Sequence, residues 1–226
     1  MSTIESAYIN ALLADAVYVI SPGLDADRQK RDLETRMTPT QAAFIADNFE
    51  VLNSIETPKL LGSGFDAVVW KGRAESDYAG QIFVSMRGTQ GLEDIADDAL
   101  LAVKGIPYQQ IADMVNWWLA NTASAGATEV KQIQVLSIGN FQTFAPSTPT
   151  VGTGFLAGLG PITAVNGHSL GGYLATAFTR LFGKDVQSVN TYNSAGFSNV
   201  APGNIEYESR NIANLIGSAA GLTSFE

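Results

Sequence analysis

The sequence contains no cysteine and only one histidine, and both counts limit the chemistry that the chain can perform. Without cysteine it can form no disulfide, thiolate metal site or cysteine nucleophile. His168 is its only imidazole. Charged residues make up 15% of the chain, and the formal net charge of −9 argues against nucleic acid or an anionic membrane held by bulk electrostatics.

A secretory signal and a long apolar run are also missing. The first twenty residues lack a basic segment and carry Glu5 and Asp15, so they are predicted to form a helix and not a signal peptide. No apolar run is long enough for a bilayer-spanning helix. The localisation therefore stays open between the cytoplasm and an export route that needs no signal peptide. The 226 residues, 46% of them apolar, are expected to form a single domain, 1–226, with a buried core.

Hydrophobic periodicity predicts an α/β domain. The predicted helices are an N-terminal helix, a helix from the capping residue Thr38 to about Asn48, and the segments 93–103, 109–121 and 170–182. The predicted strands are an antiparallel hairpin of 65–71 and 81–86, followed by 162–165, 186–192 and 212–216. Short apolar strands that alternate with helices indicate a parallel sheet. Residues 123–161 are expected to be a long loop with a possible short strand at 133–136.

One short motif points to chemistry. The segment 167–171 (GHSLG) matches G-x-S-x-G, with a predicted strand before it and an Ala-rich helix after it. This context is typical of a nucleophile elbow, a strained turn from which a serine Oγ projects. Gly167 and Gly171 are the elbow glycines that let strand and helix approach without a Cβ clash. Ser169 is therefore the predicted nucleophile, and the alternative is a structural glycine-rich turn.

A second segment fits an oxyanion hole. Residues 83–89 (FVSMRGT) are a predicted strand that runs into a glycine turn upstream of the elbow, where a second backbone donor is expected. Acidic residues follow this turn, and the run 193–197 (NSAGF) follows the strand after the elbow. Together these motifs resemble the class 3 lipases and bacterial phospholipases A1. The resemblance covers roughly residues 80–217.

This resemblance implies an α/β-hydrolase fold with a mostly parallel central sheet flanked by helices. It also implies a serine esterase that cleaves lipid esters, or other acyl esters, through an acyl-enzyme on Ser169. Thr89 and Leu170 would form the oxyanion hole through backbone N–H groups, with no cofactor and no metal ion. A lid over 90–107 and peripheral contact with a lipid surface are further expectations. The aromatic residues of 117–155 are interpreted either as an acyl-binding wall or lid or as core.

Two residues of the motif segments are expected to have structural roles. Arg87 is predicted to form an ion pair with one of the aspartates that follow it. His168 precedes the nucleophile directly, and in the family that it resembles such a histidine points away from the serine. A catalytic base and its nucleophile must lie within hydrogen-bond reach, so His168 is not the predicted base.

The sequence departs from the family at the other two triad positions. No carboxylate stands at 217–220, directly after the predicted strand 212–216, and no histidine follows it. Three explanations stay open. The first, which we favour, is a domain truncated at its C-terminus, with the remainder of a longer protein supplying the histidine. The second is a pseudo-hydrolase that binds a ligand or partner, and the third is a mechanism without histidine.

Overall fold

A computed structural model of the chain describes residues 3–20, 25–57, 63–87, 106–139, 141–194 and 205–217. The α-helices are α1 Thr3–Ala16, α2 Ala26–Glu34, α3 Pro39–Asn48, α4 Tyr108–Thr122, α5 Leu170–Phe182 and α6 Ile205–Ile216. The strands are β1 Phe49–Glu56, β2 Asp66–Gly72, β3 Ile82–Arg87, β4 Val130–Ile138, β5 Phe141–Thr150, β6 Ile162–His168 and β7 Val189–Tyr192. None of the described helices is long and apolar enough to cross a membrane.

The central sheet is mixed. Its strand order is β1-β2-β3-β6-β7, with antiparallel pairing among β1, β2 and β3 and parallel pairing among β3, β6 and β7. The expectation of a mostly parallel sheet is therefore met only in the half that carries the serine motif. The reason lies in the connections, because short turns can join only antiparallel neighbours, whereas parallel strands need long crossovers.

Helices cover both faces of this sheet. Alternate side chains of β2 point to opposite sides, so Val69 joins one core cluster while Val68 and Trp70 join the other. Helices α1 to α3 contribute to the cluster around Trp70, and α4 to α6 contribute to the cluster around Val69. The strand that precedes Ser169 is thus buried between two helical layers.

Several predicted elements are confirmed. The α3 helix starts at a capping box in which Thr38 and Gln41 satisfy each other's backbone N–H groups, and it ends at Asn48. The α5 helix has the predicted bounds, and the hairpin of β2 and β3 is present. The N-terminal helix also forms, with Leu12 and Leu13 buried, although Tyr8 is exposed. The predicted helix 93–103 lies outside the described residues.

The expectation of a long loop at 123–161 is wrong, although the possible strand 133–136 is present as part of β4. Strands β4 and β5 form a two-stranded antiparallel ribbon that packs on α4 and α6. Ile138 is paired with Phe141, so the connection is two residues long, and Gly139 has a positive φ of 60°. A glycine in such a connection is typical of a tight hairpin turn.

The predicted strand 212–216 is also wrong, because these residues form the last part of α6. The buried residues of α6 recur at helical spacing, and they are Glu208, Ser209, Ile212, Ala213 and Ile216. A short apolar run alone does not distinguish a strand from a helix. The family pattern places the triad acid directly after this strand, and in this structure there is no strand at that place for the acid to follow. Sequence reasoning also missed β1 and α2.

Candidate active site

Ser169 lies at the turn between β6 and α5 in a backbone conformation that L-residues rarely adopt. Its φ is 55° and its ψ is −127°. The strand ends at His168 and the helix begins at Leu170, so the whole change of direction falls on this one residue. Two backbone hydrogen bonds hold the turn: Ser169 N–H donates to the Tyr192 carbonyl at 3.0 Å, and Gly172 N–H donates to the Ser169 carbonyl at 3.0 Å.

Gly167 of the motif and Gly172, which directly follows it, lie where side chains do not fit. A Cβ on Gly167 would lie 2.0 Å from the carbonyl oxygen of Gly171, which is a severe overlap with backbone. A Cβ on Gly172 would lie 2.7 Å from Ser194 Oγ. Strand β6 and helix α5 thus approach each other closely at Gly167, and α5 approaches the segment after β7 closely at Gly172. This close approach fixes the turn, since neither backbone can shift without disturbing the other.

The first helical N–H groups of α5 are at the serine. Leu170 is buried and is the first residue of the helix, and the leading N–H groups of a helix have no intrahelical acceptor. The positive end of the helix dipole adds to their attraction for an anion. Thr89 lies outside the described residues. Strand β3, which ends at Arg87, runs parallel to β6 with Met86 opposite Gly167.

His168 contacts the opposite layer from α5. Its Nδ1 is 3.3 Å from the Tyr18 hydroxyl, and the two rings meet edge to face. Tyr18 follows α1 and packs against the core cluster on the α1 side of the sheet. Within the part of the chain that the structure describes, no hydrogen bond joins Ser169 Oγ to another side chain. The expectation that His168 points away from the serine agrees with this contact.

Arg87 forms a buried ion pair, but its partner differs from the expected one. Its Nε lies 3.0 Å from Asp66 Oδ2, and the two residues are direct neighbours across β2 and β3. The guanidinium also donates to the Tyr18 carbonyl at 3.3 Å. The expected partner was an aspartate after Arg87, and those aspartates lie outside the described residues. Cross-strand pairing brings Asp66 to Arg87, which local sequence does not reveal.

A row of buried polar side chains crosses the sheet just before the serine turn. Trp70 Nε1 donates to Ser85 Oγ at 3.2 Å, and Asn190 Nδ2 donates to Asn166 Oδ1 at 3.2 Å. Ser85 and Asn166 are register partners of β3 and β6. Side-chain hydrogen bonds thus join β2 to β3 and β6 to β7 just before the serine turn. Sequence reasoning missed it, although a serine and an asparagine inside apolar strands are the signal that could have found it.

A buried carboxylate lies near the first turn of α5. Glu208 is 4% exposed, and its Oε1 accepts a hydrogen bond from the Tyr108 hydroxyl at 3.0 Å. Burial, followed by the charge of Glu208, raises the pKa of Tyr108. Burial also raises the pKa of Tyr173 in α5, with smaller contributions from Tyr108 and Glu208. Tyr108 and Glu208 are therefore directly bonded and within electrostatic range of Tyr173, although no described contact joins the three side chains to Ser169.

The aromatic residues of 117–155 divide into two groups. Trp117, Trp118 and Phe144 are buried in the core, whereas Phe141 and Phe155 are exposed. The interpretation as core is thus correct for the first three residues only. The predicted lid lies outside the described residues except for its last two positions, 106 and 107.

A groove of about 710 Å³ lies away from the serine. It lies between β1, α4 and the ribbon, and Asp113 and Asn116 line it. Both amide atoms of Asn116 are used by the backbone of Ile133. Among the described residues no group of three or more histidine or acidic side chains could hold a metal ion.

Comparisons with known proteins add no relative. No family model matches the chain, and no curated protein or solved structure shows significant similarity to it. The geometry around Ser169 and the sequence motifs are therefore what supports a function.

Proposed function

We propose that this chain has the α/β-hydrolase fold and hydrolyses carboxylic esters of lipids through an acyl-enzyme on Ser169. The observation that carries the proposal is the backbone of Ser169, with φ 55° and ψ −127° between a buried strand and a helix. Such a conformation costs a non-glycine residue about 1–3 kcal/mol, and strain of this kind concentrates at functional sites. A serine held there by two close glycine contacts is what a nucleophile elbow requires.

The proposed reaction uses the serine hydroxyl at the turn and the backbone N–H groups beside it. Ser169 Oγ attacks the ester carbonyl carbon while a base takes its proton, and the carbonyl electron pair moves onto oxygen. The N–H groups of Leu170 and Thr89 stabilise that oxyanion. The tetrahedral intermediate collapses, the alcohol leaves with the proton, and water then hydrolyses the acyl-enzyme. Support for Leu170 comes from its place as the first residue of α5. Support for Thr89 comes from its place two residues after β3, the neighbour of β6.

The base is the part of the mechanism that the described residues do not supply. His168 is the only histidine in the sequence, and it lies against Tyr18. A serine without a base is a poor nucleophile, so the proposal assigns the base to a histidine outside this sequence. A binding module that retains the elbow without catalysis is the second candidate, and the placement of His168 favours it. A non-lipid acyl ester is an alternative substrate, since the elbow is common to many esterases.

Ester hydrolysis by matched serine variants tests the proposal, and it is measured on protein purified from the cells that make it, so that the proposed histidine is present. The variants are Ser169→Ala and, as control, Ser137→Ala, which removes an exposed hydroxyl from the ribbon. We expect Ser169→Ala to lower the turnover of a p-nitrophenyl ester and of a phospholipid by roughly 10³-fold or more, and Ser137→Ala to leave turnover of the soluble p-nitrophenyl ester unchanged. Full activity in Ser169→Ala contradicts the assignment. Absence of turnover in every variant, with lipid binding that survives Ser169→Ala, supports the binding module instead.

A further inference from the structure

The ribbon of β4 and β5 has one face on the core and one face in solvent. On the inner face, Val135 and Phe144 pack against the helical layer. On the outer face, exposed apolar side chains occur towards the turn: Leu136 is 41% exposed, Ile138 65% and Phe141 61%. Further from the turn, the same face carries the pair of Gln134 and Ala145. Exposed large apolar side chains of the ribbon are therefore confined to its tip.

The tip lies at the end of the domain that carries Ser169. The ribbon runs alongside α4. Ile133 is hydrogen-bonded to Asn116, and the Phe144 ring packs at a tilt against the Tyr108 ring with their centres 5.0 Å apart. The start of α4 is thus closer to the tip than its end is. Phe141 lies three residues closer to the ribbon turn than Phe144 does, which places the tip about 10 Å past Tyr108.

The start of α4 also lies beside the start of α5. Tyr108 bonds to Glu208, and both side chains contribute to the electrostatic environment of Tyr173 in the first turn of α5. Further along, Trp118 of α4 meets Phe178 of α5 edge to face with ring centres 4.8 Å apart, so the two helices run in the same direction. Because α5 begins directly after Ser169, the tip projects at the same edge of the sheet as the serine.

The absence of charge at the ribbon tip is compatible with a lipid surface that carries no net charge. Between Gln132 and Thr179 the sequence contains no Asp, Glu, Lys or Arg, although the chain has a net charge of −9. A protein with this net charge is repelled by anionic lipid, and the one basic side chain of the ribbon, Lys131, lies at the end of β4 that is far from the tip. An uncharged apolar tip flanked by Ser137 and Gln142 is compatible with a headgroup layer that carries no net charge.

We propose that Leu136, Ile138 and Phe141 insert into the surface of a zwitterionic or uncharged lipid layer and so hold the Ser169 edge of the sheet against it. This inference rests on the proposed lipid esterase function and names the structure that delivers the enzyme to its substrate. The ribbon is a fixed anchor in this account, since its inner face is packed on α4 and α6.

Vesicle binding by a matched pair of phenylalanine variants tests the anchor. Phe141→Asp alters the tip, and Phe155→Asp alters an exposed phenylalanine (70%) whose neighbour Leu156 bonds to Asn121 near the far end of α4. All proteins carry Ser169→Ala, so that binding is measured without turnover. We expect Phe141→Asp to lower the partition onto phosphatidylcholine vesicles about tenfold or more, because a charge replaces apolar area at the interface. Phe155→Asp is expected to leave the partition unchanged.

Three results overturn the inference: equal loss in both variants, no vesicle binding by the parent protein, or tighter binding to phosphatidylglycerol vesicles than to phosphatidylcholine. Dimers that dissociate in Phe141→Asp, without vesicle binding, assign the tip to a second copy of the chain instead. Thermal unfolding confirms that each variant is folded. Failure of the esterase proposal is separate, because it leaves vesicle binding intact but abolishes Ser169-dependent hydrolysis of a soluble ester. Failure of the anchor alone leaves that hydrolysis intact.

Discussion

The serine turn and the ribbon turn both depend on glycine, but for opposite physical reasons. At Gly167 a Cβ would lie 2.0 Å from a backbone oxygen, so the requirement is lack of space. At Gly139 nothing lies within 4 Å of the Cβ position, and the requirement is a φ of 60°. The serine turn is buried and fixed by its neighbours, whereas the ribbon turn is open and local. A substitution in the first disturbs the sheet, and one in the second disturbs only a hairpin.

The largest effect is expected from Gly167→Ala. The new Cβ overlaps the carbonyl of Gly171, and β6 or α5 must move to relieve the clash. We expect a loss of about 3 kcal/mol or more in the free energy of unfolding, measured by urea denaturation. Gly160→Ala is the control, because nothing lies within 4 Å of that Cβ position. Equal stability of the two variants would contradict the close approach of β6 and α5 at Gly167.

Tyr108→Phe tests the contact between the ribbon and the helices that lie beside the serine turn. The tyrosine ring packs on Phe144 of the ribbon, and its hydroxyl donates to Glu208. Removing the hydroxyl takes a hydrogen-bond donor from a buried carboxylate, which we expect to cost about 1–3 kcal/mol in the free energy of unfolding. Tyr207→Phe, on the exposed surface of α6, is the matched control and is expected to have no effect. If Tyr108→Phe leaves the free energy of unfolding unchanged, water solvates Glu208.

Gly139→Ala tests the open turn. An alanine has space there but is strained at positive φ, so we expect a loss of about 1 kcal/mol in the free energy of unfolding. Thermal or urea unfolding compares this variant with Gly167→Ala. A loss as large as that of Gly167→Ala would contradict the distinction between the two turns.

The smallest effect on activity is expected from His168→Gln. The side chain contacts Tyr18 on the α1 side of the sheet, and glutamine retains a hydrogen-bonding group of similar reach. We expect turnover of a soluble ester to change by no more than about threefold, compared with roughly 10³-fold for Ser169→Ala. Steady-state kinetics of the two variants side by side decide the matter. A loss in His168→Gln as large as that in Ser169→Ala would make His168 the base.

Local sequence predicts the serine turn better than the ribbon. The α5 helix was predicted to the residue because the strand, the glycines and the helix of the motif constrain one another over a few positions. The ribbon was missed because its Ser, Thr and Pro residues are typical of a loop. The signal that could have found it is Gly139-Asn140 between two stretches of similar length.

Contacts between distant segments could not be predicted. Tyr18 and His168 are 150 residues apart, and Asp66 meets Arg87 only because β2 pairs with β3. The apolar run 212–216 has a length and composition that fit a strand or a helix, and its packing against the ribbon decides for the helix. The hydrophobic pattern predicts whether a long segment is a helix or a strand, whereas tertiary packing decides between the two for a short segment.

The most direct test of the central claim is the site at which a fluorophosphonate reacts. The measurement is intact mass, followed by peptide mapping, on protein purified from the cells that make it, alongside Ser169→Ala, Ser137→Ala and His168→Gln. The account predicts one adduct, on Ser169, that is lost only in Ser169→Ala. An adduct that persists in Ser169→Ala, or no adduct in any of the proteins, would contradict the claim that Ser169 is an activated nucleophile.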